Sequence, residues 1–340
     1  MSYSIIYDIK DIKISEWSRF TIEHPKGNVF HSPEVFNAFS ITPLYNPVCV
    51  FAISSSGELV GLMQSCIIKE YNGIIGFATA RSITWGGPLV KNNELSIYAE
   101  LISNHNKSIK NRAIYSQIRN LNNISFFNET FKKYGYRYTD HLNILIDLKK
   151  SEEELWSDIN SKRRNEIKKA IKNDLTVELR NDSDSLLKSY QILKEVYKFA
   201  NLPLAPFELF ENLNNQSNDS FSLGNFVALS DGEIIGCMLT LNYNKTIYNY
   251  YAGSKRKYYS KHPNDLIPWE VFKWGKLNDF ECFDFGGAGA PGKSYGVRNY
   301  KTQFGGKIEN FGRYEKIYHP FFYKIGIAGL SVWKFIRKIK

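Results

Sequence analysis

Two catalytic patterns overlap in one glycine-rich stretch near the end of the 340-residue chain. Gly287-Ala-Gly-Ala-Pro-Gly292-Lys293-Ser294 satisfies G-x-x-x-x-G-K-[ST], and Gly292-Lys-Ser294-Tyr-Gly296 satisfies G-x-S-x-G. The first would cradle phosphates on backbone N–H groups at the mouth of a helix, with Lys293 reaching the terminal phosphates. The second would raise Ser294 on a strand-to-helix elbow as a nucleophile, with Glu309 or Glu315 and then His319 as partners. Neither context holds. The stretch 295–304 is short and carries Gly296 early, and only 46 residues follow Ser294. That is too little chain for the remaining strands of a nucleotide-hydrolysing or hydrolase sheet. Both readings are set aside. Gly286, Gly287, Gly289 and Gly292 are instead read as positions that need unusual backbone geometry or close approach to a substrate.

The cations form two further patterns. Lys162, Arg163, Arg164, Lys168, Lys169 and Lys172 have Glu166 as the only acid among them. They follow a capping box, Ser151-x-x-Glu154, and share their segment with an apolar stripe of Leu155, Ile159, Ile167 and Ile171, so they lie on a helix with a kink expected near Asn160 and Ser161. Either this is a solvated face, or Lys162, Arg163, Arg164 and Lys168 contact the phosphates of a polyanion such as tRNA. The last 28 residues, from Arg313, hold seven basic groups and one acid. From Phe321 onward, aromatic and aliphatic residues alternate with Lys334, Arg337, Lys338 and Lys340. This suits a helix at a membrane surface or a terminal helix packed on the first domain.

The elements that position these residues follow from composition and pattern. At 340 residues and 43% hydrophobic content, two domains are the natural count. The four cysteines and six histidines are scattered. No metal site is expected, and the cysteines read as buried thiols of a cytoplasmic protein. The N-terminal stretch carries charges and no apolar run, so no signal peptide is expected. Ser55-Ser-Gly57-Glu58-Leu-Val-Gly61-Leu-Met63 recurs as Ser230-Asp-Gly232-Glu233-Ile-Ile-Gly236-Cys-Met238. Each copy sits between two apolar strands, which predicts a hairpin in each of two duplicated α/β domains. Residues 73–80 read as a strand, 95–110 as a helix, and 141–148 as a strand leading out of the first domain.

From Tyr250 onward the features come in a recognisable order. Tyr250-Tyr251-Ala-Gly is followed by the helix of Trp269 and Trp274, then by Phe283-Asp284-Phe285-Gly286 and the glycine-rich gap. Last come Arg298-Asn-Tyr300-Lys301-Thr-Gln-Phe304-Gly305. This order, with the basic helix after Trp156, resembles the Fem family of peptidoglycan aminoacyltransferases and its wider acetyltransferase-fold (GNAT) relatives. The resemblance implies an α/β (α+β) protein of two tandem GNAT-like domains, each a mixed sheet flanked by helices. The expected division is 1–149 and 150–312, with 313–340 as the basic C-terminal helix. It implies acyl or aminoacyl transfer to an amine of a nucleotide- or lipid-linked envelope precursor, through a tetrahedral intermediate. The family's lysine falls on Lys301, which would stabilise the oxyanion. Tyr300, Arg298, Tyr251 and Trp85 are the candidate substrate contacts. The donor would be aminoacyl-tRNA, with no resident cofactor. The enzyme would be cytoplasmic and peripheral at the inner face of the membrane, with no DNA partner. Two alternatives stay open. One is an acyl-CoA-dependent N-acetyltransferase acting on an amino sugar, although the [RQ]-x-x-G-x-[GA] pattern that grips the CoA pyrophosphate follows neither repeated hairpin. The other is a non-catalytic RNA- or membrane-docking protein.

If the phosphate-loop match is coincidental, Lys293→Ala retains most of the transfer activity and the protein releases no phosphate from ATP. Loss of transfer in that variant, read in the same assay, reinstates the phosphate loop.

Overall fold

A computed structural model describes residues 3–326. The chain forms two compact units, residues 1–140 with 311–340, and residues 141–310. The tail residues 327–340, on which half of the predicted C-terminal helix falls, lie outside the described residues.

The repeated sequence forms the same hairpin in each unit. Tyr45–Ser54 pairs antiparallel with Leu59–Ile68, and Phe221–Ser230 with Glu233–Tyr243. Gly57 and Gly232 turn the chain with φ of 82° and 78°, a left-handed conformation in which glycine is unstrained. Each hairpin then skips one residue at the same place, between Ala52 and Ile53 and between Ala228 and Leu229. The second repeated glycine serves packing. A Cβ on Gly61 would lie 2.9 Å from Ile97 Cγ2, and one on Gly236 2.6 Å from Ser254 Oγ and 3.3 Å from Ile267 Cδ1. Ile97 and Ile267 belong to the helices Leu95–Ile109 and Pro263–Leu277, so each glycine lets a helix lie close on its sheet.

In the first unit the sheet order is Tyr3–Ile6, Tyr45–Ser54, Leu59–Ile68, Arg81–Trp85, Tyr115–Arg119, Arg313–Ile317, Arg137–Thr139, with Leu89–Val90 also on Leu59–Ile68. In the second it is Thr176–Leu179, Phe221–Ser230, Glu233–Tyr243, Thr246–Ser254, Cys282–Gly287, Leu142–Asp147, Lys307–Asn310. In both, the fourth and fifth strands are parallel and the rest antiparallel. The sixth place is filled from afar. Arg313–Ile317 enters the first sheet from the end of the chain, and Leu142–Asp147 opens the second unit before any of its other strands.

This corrects three expectations. The boundary lies near residue 140, because Leu142, Ile144, Ile146 and Leu148 are buried in the second core. Period-2 alternation fixes a strand's face but not its partner. Residues 313–317 form a strand rather than the start of a terminal helix; the helix begins at Pro320. Gly73–Thr79 is a helix, since a short apolar run does not discriminate the two states. The repeated hairpins, the capping box of Ser151 and Glu154, and the helix Leu95–Ile109 match the sequence reading. Cys49, Cys66 and Cys237 are buried free thiols, and Cys282 is half-buried and free.

A fragment of residues 141–310 should unfold cooperatively in urea, whereas 1–149 should not, because Arg137–Thr139 then loses its sheet neighbour. Cooperative unfolding of the 1–149 fragment would contradict this division.

Candidate functional site

The two parallel strand pairs differ. In the first unit Arg81–Trp85 pairs with Tyr115–Arg119 over its whole length, and Gly86 N continues the ladder to Arg119 O at 2.8 Å. In the second unit, pairing between Thr246–Ser254 and Cys282–Gly287 covers only Thr246, Ile247 and Tyr248, and ends at Asp284. Beyond that point the second strand bulges, with a register shift between Asp284 and Gly287 and a φ of 71° at Gly286. A Cβ on Gly286 would lie 3.3 Å from the Tyr248 hydroxyl. The sheet therefore forks.

Lys301 is held at the fork. It lies on the short helix Gly296–Thr302 and donates to Phe285 O at 2.6 Å and Gly287 O at 2.9 Å. Asp284 grips the same bulge from its own side chain, accepting from Gly286 N at 2.7 Å. Asn143 Nδ2, on the neighbouring strand, lies 3.4 Å from Asp284 Oδ1. Burial pushes the Lys301 ammonium down to about 8, against the pull of the Asp284 charge. Burial pushes Asp284 up to about 6, against its bond from Gly286 and the charge of Lys301. Between those values both groups are charged, an ammonium and a carboxylate meeting at one bulge. An ammonium has three N–H donors. Two are used, and among the described residues no third acceptor is seen, so one N–H remains for an oxygen brought to the fork.

The other predicted residues have defined places. Tyr300 donates its hydroxyl to Asn264 O at 2.5 Å, and its ring lies 5.3 Å from that of Phe304. It anchors the short helix. Arg298 donates to Ala290 O at 3.0 Å and to Lys293 O, so it braces the glycine-rich loop. That loop leads into a helix of seven residues, followed by antiparallel strands. Tyr251 packs among Tyr197, Phe210 and Tyr250, with ring centroids 5.3, 5.1 and 4.7 Å away. Trp85, in the first unit, is buried and stacked on Phe30 at 4.8 Å, with Arg119 5.9 Å from its ring. It is core.

The basic helix divides in two. Arg163, with only 12% of its side chain exposed, pairs with Glu166 at 2.9 Å and with buried Asp265. It also donates to Gln303 Oε1 at 2.7 Å and lies 5.0 Å from the Tyr300 ring. Arg164 donates to Trp156 O and Ser157 O at 3.2 and 2.9 Å, closing the preceding helix Glu152–Asp158. Both guanidinium groups are thus engaged inside the unit, where the sequence reading expected contacts to a polyanion. Lys162, Lys168, Lys169 and Lys172 are exposed. Glu166, His262 and Asp265 bring one ligand atom each within 4.8 Å of one another, but the Arg163 guanidinium already sits among them. The sequence reading missed Asp284, Asn143 and Asp265. The available signal was a carboxylate or amide set between apolar strand residues, as in Phe283-Asp284-Phe285.

Residues 161–302 match the family described as Acetyltransferase (GNAT) domain. A curated relative, the UDP-N-acetylmuramoylpentapeptide-lysine N(6)-alanyltransferase of Weissella viridescens, is 21% identical over 305 aligned positions, covering 81% of this chain and 86% of the relative. The crystal structure of FemX matches with a TM-score of 0.73 at 14% identity, covering 96% of this chain and 99% of that one. A tandem GNAT protein from the clavulanic acid biosynthesis pathway matches at 0.56 and 8% identity, over 93% and 99%. The fold is thus a tandem of GNAT-like units, similar to Fem-type transferases, and the chain stands among the transferases.

Arg163→Gln should destabilise the protein by about 3 kcal/mol, since it leaves the buried Asp265 carboxylate without its cation. The double change Lys162→Gln with Lys168→Gln should stay within about 0.5 kcal/mol. Urea unfolding of the two variants separates them; equal effects would contradict the division of this helix.

Proposed function

We propose that this protein transfers an aminoacyl group from aminoacyl-tRNA to an amine of a nucleotide- or lipid-linked envelope precursor, with Lys301 as the oxyanion-stabilising group. The observation that carries the reading is the Lys301 ammonium, buried at the fork of the second sheet with two of its donors fixed on carbonyls. A preorganised cation in such surroundings stabilises a developing negative oxygen without reorganising at the moment of reaction. The neutral amine attacks the ester carbon and a C–N bond forms. The carbonyl oxygen takes the charge beside Lys301. The ester C–O bond then breaks, and the amine's proton goes to the departing ribose oxygen. The Weissella viridescens relative, named for alanyl transfer to the lysine of a UDP-linked muramoyl pentapeptide, supports aminoacyl transfer to this acceptor class.

The helix Pro263–Leu277 argues against CoA as donor. A helix start receives a pyrophosphate through its free N–H groups and positive dipole end. Here buried Asp265 already stands in the first turn, paired with Arg163. Asp265 N and Leu266 N are bonded to His262 O at 3.1 and 3.3 Å. An incoming pyrophosphate would find these two N–H groups already bonded and an ion pair in its place. Among the described residues no helix is long and apolar enough to cross a membrane. In this reading the enzyme works in the cytoplasm, where aminoacyl-tRNA is.

Transfer of a radiolabelled amino acid to a UDP-linked muramoyl peptide from aminoacyl-tRNA, and not of acetyl from acetyl-CoA, is the expected result; the reverse preference overturns the reading. Lys301→Ala should lower kcat by ~10²-fold or more. It also releases two buried carbonyls, so a stability cost of about 1–3 kcal/mol accompanies it. The pH profile separates the two effects. The rate should fall as pH rises through about 8, where Lys301 loses its proton. In Asp284→Asn the ammonium loses the charge that supports it, so this limb should move to lower pH. An unmoved limb removes Lys301 from the chemistry.

A further inference from the structure

Four large apolar side chains stand out of the first unit at two helices that touch, three on the helices and one in the turn before the first. Ile75, on the helix Gly73–Thr79, is 68% exposed, and Tyr71, in the turn that leads into it, is 61% exposed. Phe321 is 70% exposed and Ile325 51%, four residues apart on the helix that begins at Pro320. The spacing of four places Phe321 and Ile325 on one side of their helix. The helices meet through Phe77, whose ring lies 5.6 Å from Phe322 and 5.1 Å from His319. His319 is in turn fixed, with Nε2 2.7 Å from Lys110 O. The apolar pairs are therefore presented by an anchored scaffold.

Cations surround them. Lys69 lies along the first helix, its Cδ 3.8 Å from where a Cβ on Gly76 would be. Lys324 is exposed between Phe321 and Ile325, and Lys110 is exposed beside the His319 contact. Among the described residues no carboxylate pairs with Lys69, Lys110 or Lys324. The sequence continues in the same composition, with Trp333 and Phe335 beside Lys334, Arg337, Lys338 and Lys340. Exposed aromatic and aliphatic groups rimmed by unpaired cations fit a lipid surface that carries negative charge, since the rings enter the headgroup layer while the ammonium groups meet phosphate. A protein partner would need complementary acids and a shaped pocket, and singly protruding side chains offer none.

We propose that this paired-helix face docks the protein on an anionic lipid surface. Vesicle binding is read independently of transfer, so failure of one leaves the other standing. The full chain is sedimented with phosphatidylcholine vesicles that do or do not contain about one-third phosphatidylglycerol. Binding to the anionic vesicles, weakened by salt, is expected. The variant Ile75→Ser, Phe321→Ser, Ile325→Ser should bind about tenfold more weakly at an unchanged urea midpoint. The variant Lys69→Gln, Lys110→Gln, Lys324→Gln should lose much of the preference for anionic lipid. The proposal is overturned by equal binding to both vesicle types, by undiminished binding of the serine variant, or by binding that only removal of residues 327–340 abolishes. A dimer that the serine variant converts to monomer, with vesicle binding unchanged, would assign the face to a second copy instead.

Discussion

The second unit is organised around one buried ammonium. Sheet strands ordinarily satisfy one another's carbonyls, and where two parallel strands part, that supply ends. Here the parting leaves the carbonyls of Phe285 and Gly287 turned inward, and Lys301 supplies the donors. The arrangement demands several other features. Gly286 must be glycine to allow the bulge, Asp284 must accept from Gly286 N, and the short helix must be anchored, which Tyr300 and Phe304 do. A cation this enclosed is costly unless the groups around it share its charge. The carbonyls and Asp284 do so, and the result is a preorganised positive site with hydrogen-bonding capacity to spare.

Duplication supplied two sheets of one order, yet only the second opens this way among the described residues. In the first unit the parallel pair stays bonded along its full length and ends on Trp85 stacked against Phe30. The shared features, the hairpin glycines and the helices they admit, hold each unit together. The unshared ones form the fork that holds Lys301. This divergence is the ordinary fate of a duplicated scaffold, where the two copies come under different constraints.

Local patterns were legible in the sequence. The hairpins were visible because two glycines at fixed spacing impose a turn and a close helix contact, and the capping box because both of its partners lie within one turn. The order of motifs pointed to the right family resemblance. What the sequence hid was long-range. The strand Leu142–Asp147 shows its alternation openly but not the sheet it joins. Arg163 looks like any other member of a basic run, because its partners, Asp265 and Gln303, lie about a hundred and more residues away. Lys301 reads as a helix-surface lysine until the bulge closes over it. Asp284 was in plain view between two phenylalanines, and only burial reveals that its charge is shared with Lys301.

The placing of the sixth strands also sets an order of events during synthesis. Residues 141–310 form one continuous unit whose ends meet, His141 N donating to Asn310 Oδ1 at 3.0 Å. This unit has all its strands once residue 310 has left the ribosome. The first unit, although made first, waits for Arg313–Ile317 to fill the gap between Tyr115–Arg119 and Arg137–Thr139. Until then it carries unpaired strand edges, the kind of surface that chaperones hold and that nascent chains misuse. The half whose synthesis begins second is thus the half that can mature first, and Lys301 and Asp284 are set in place inside a domain that does not depend on completion of its twin.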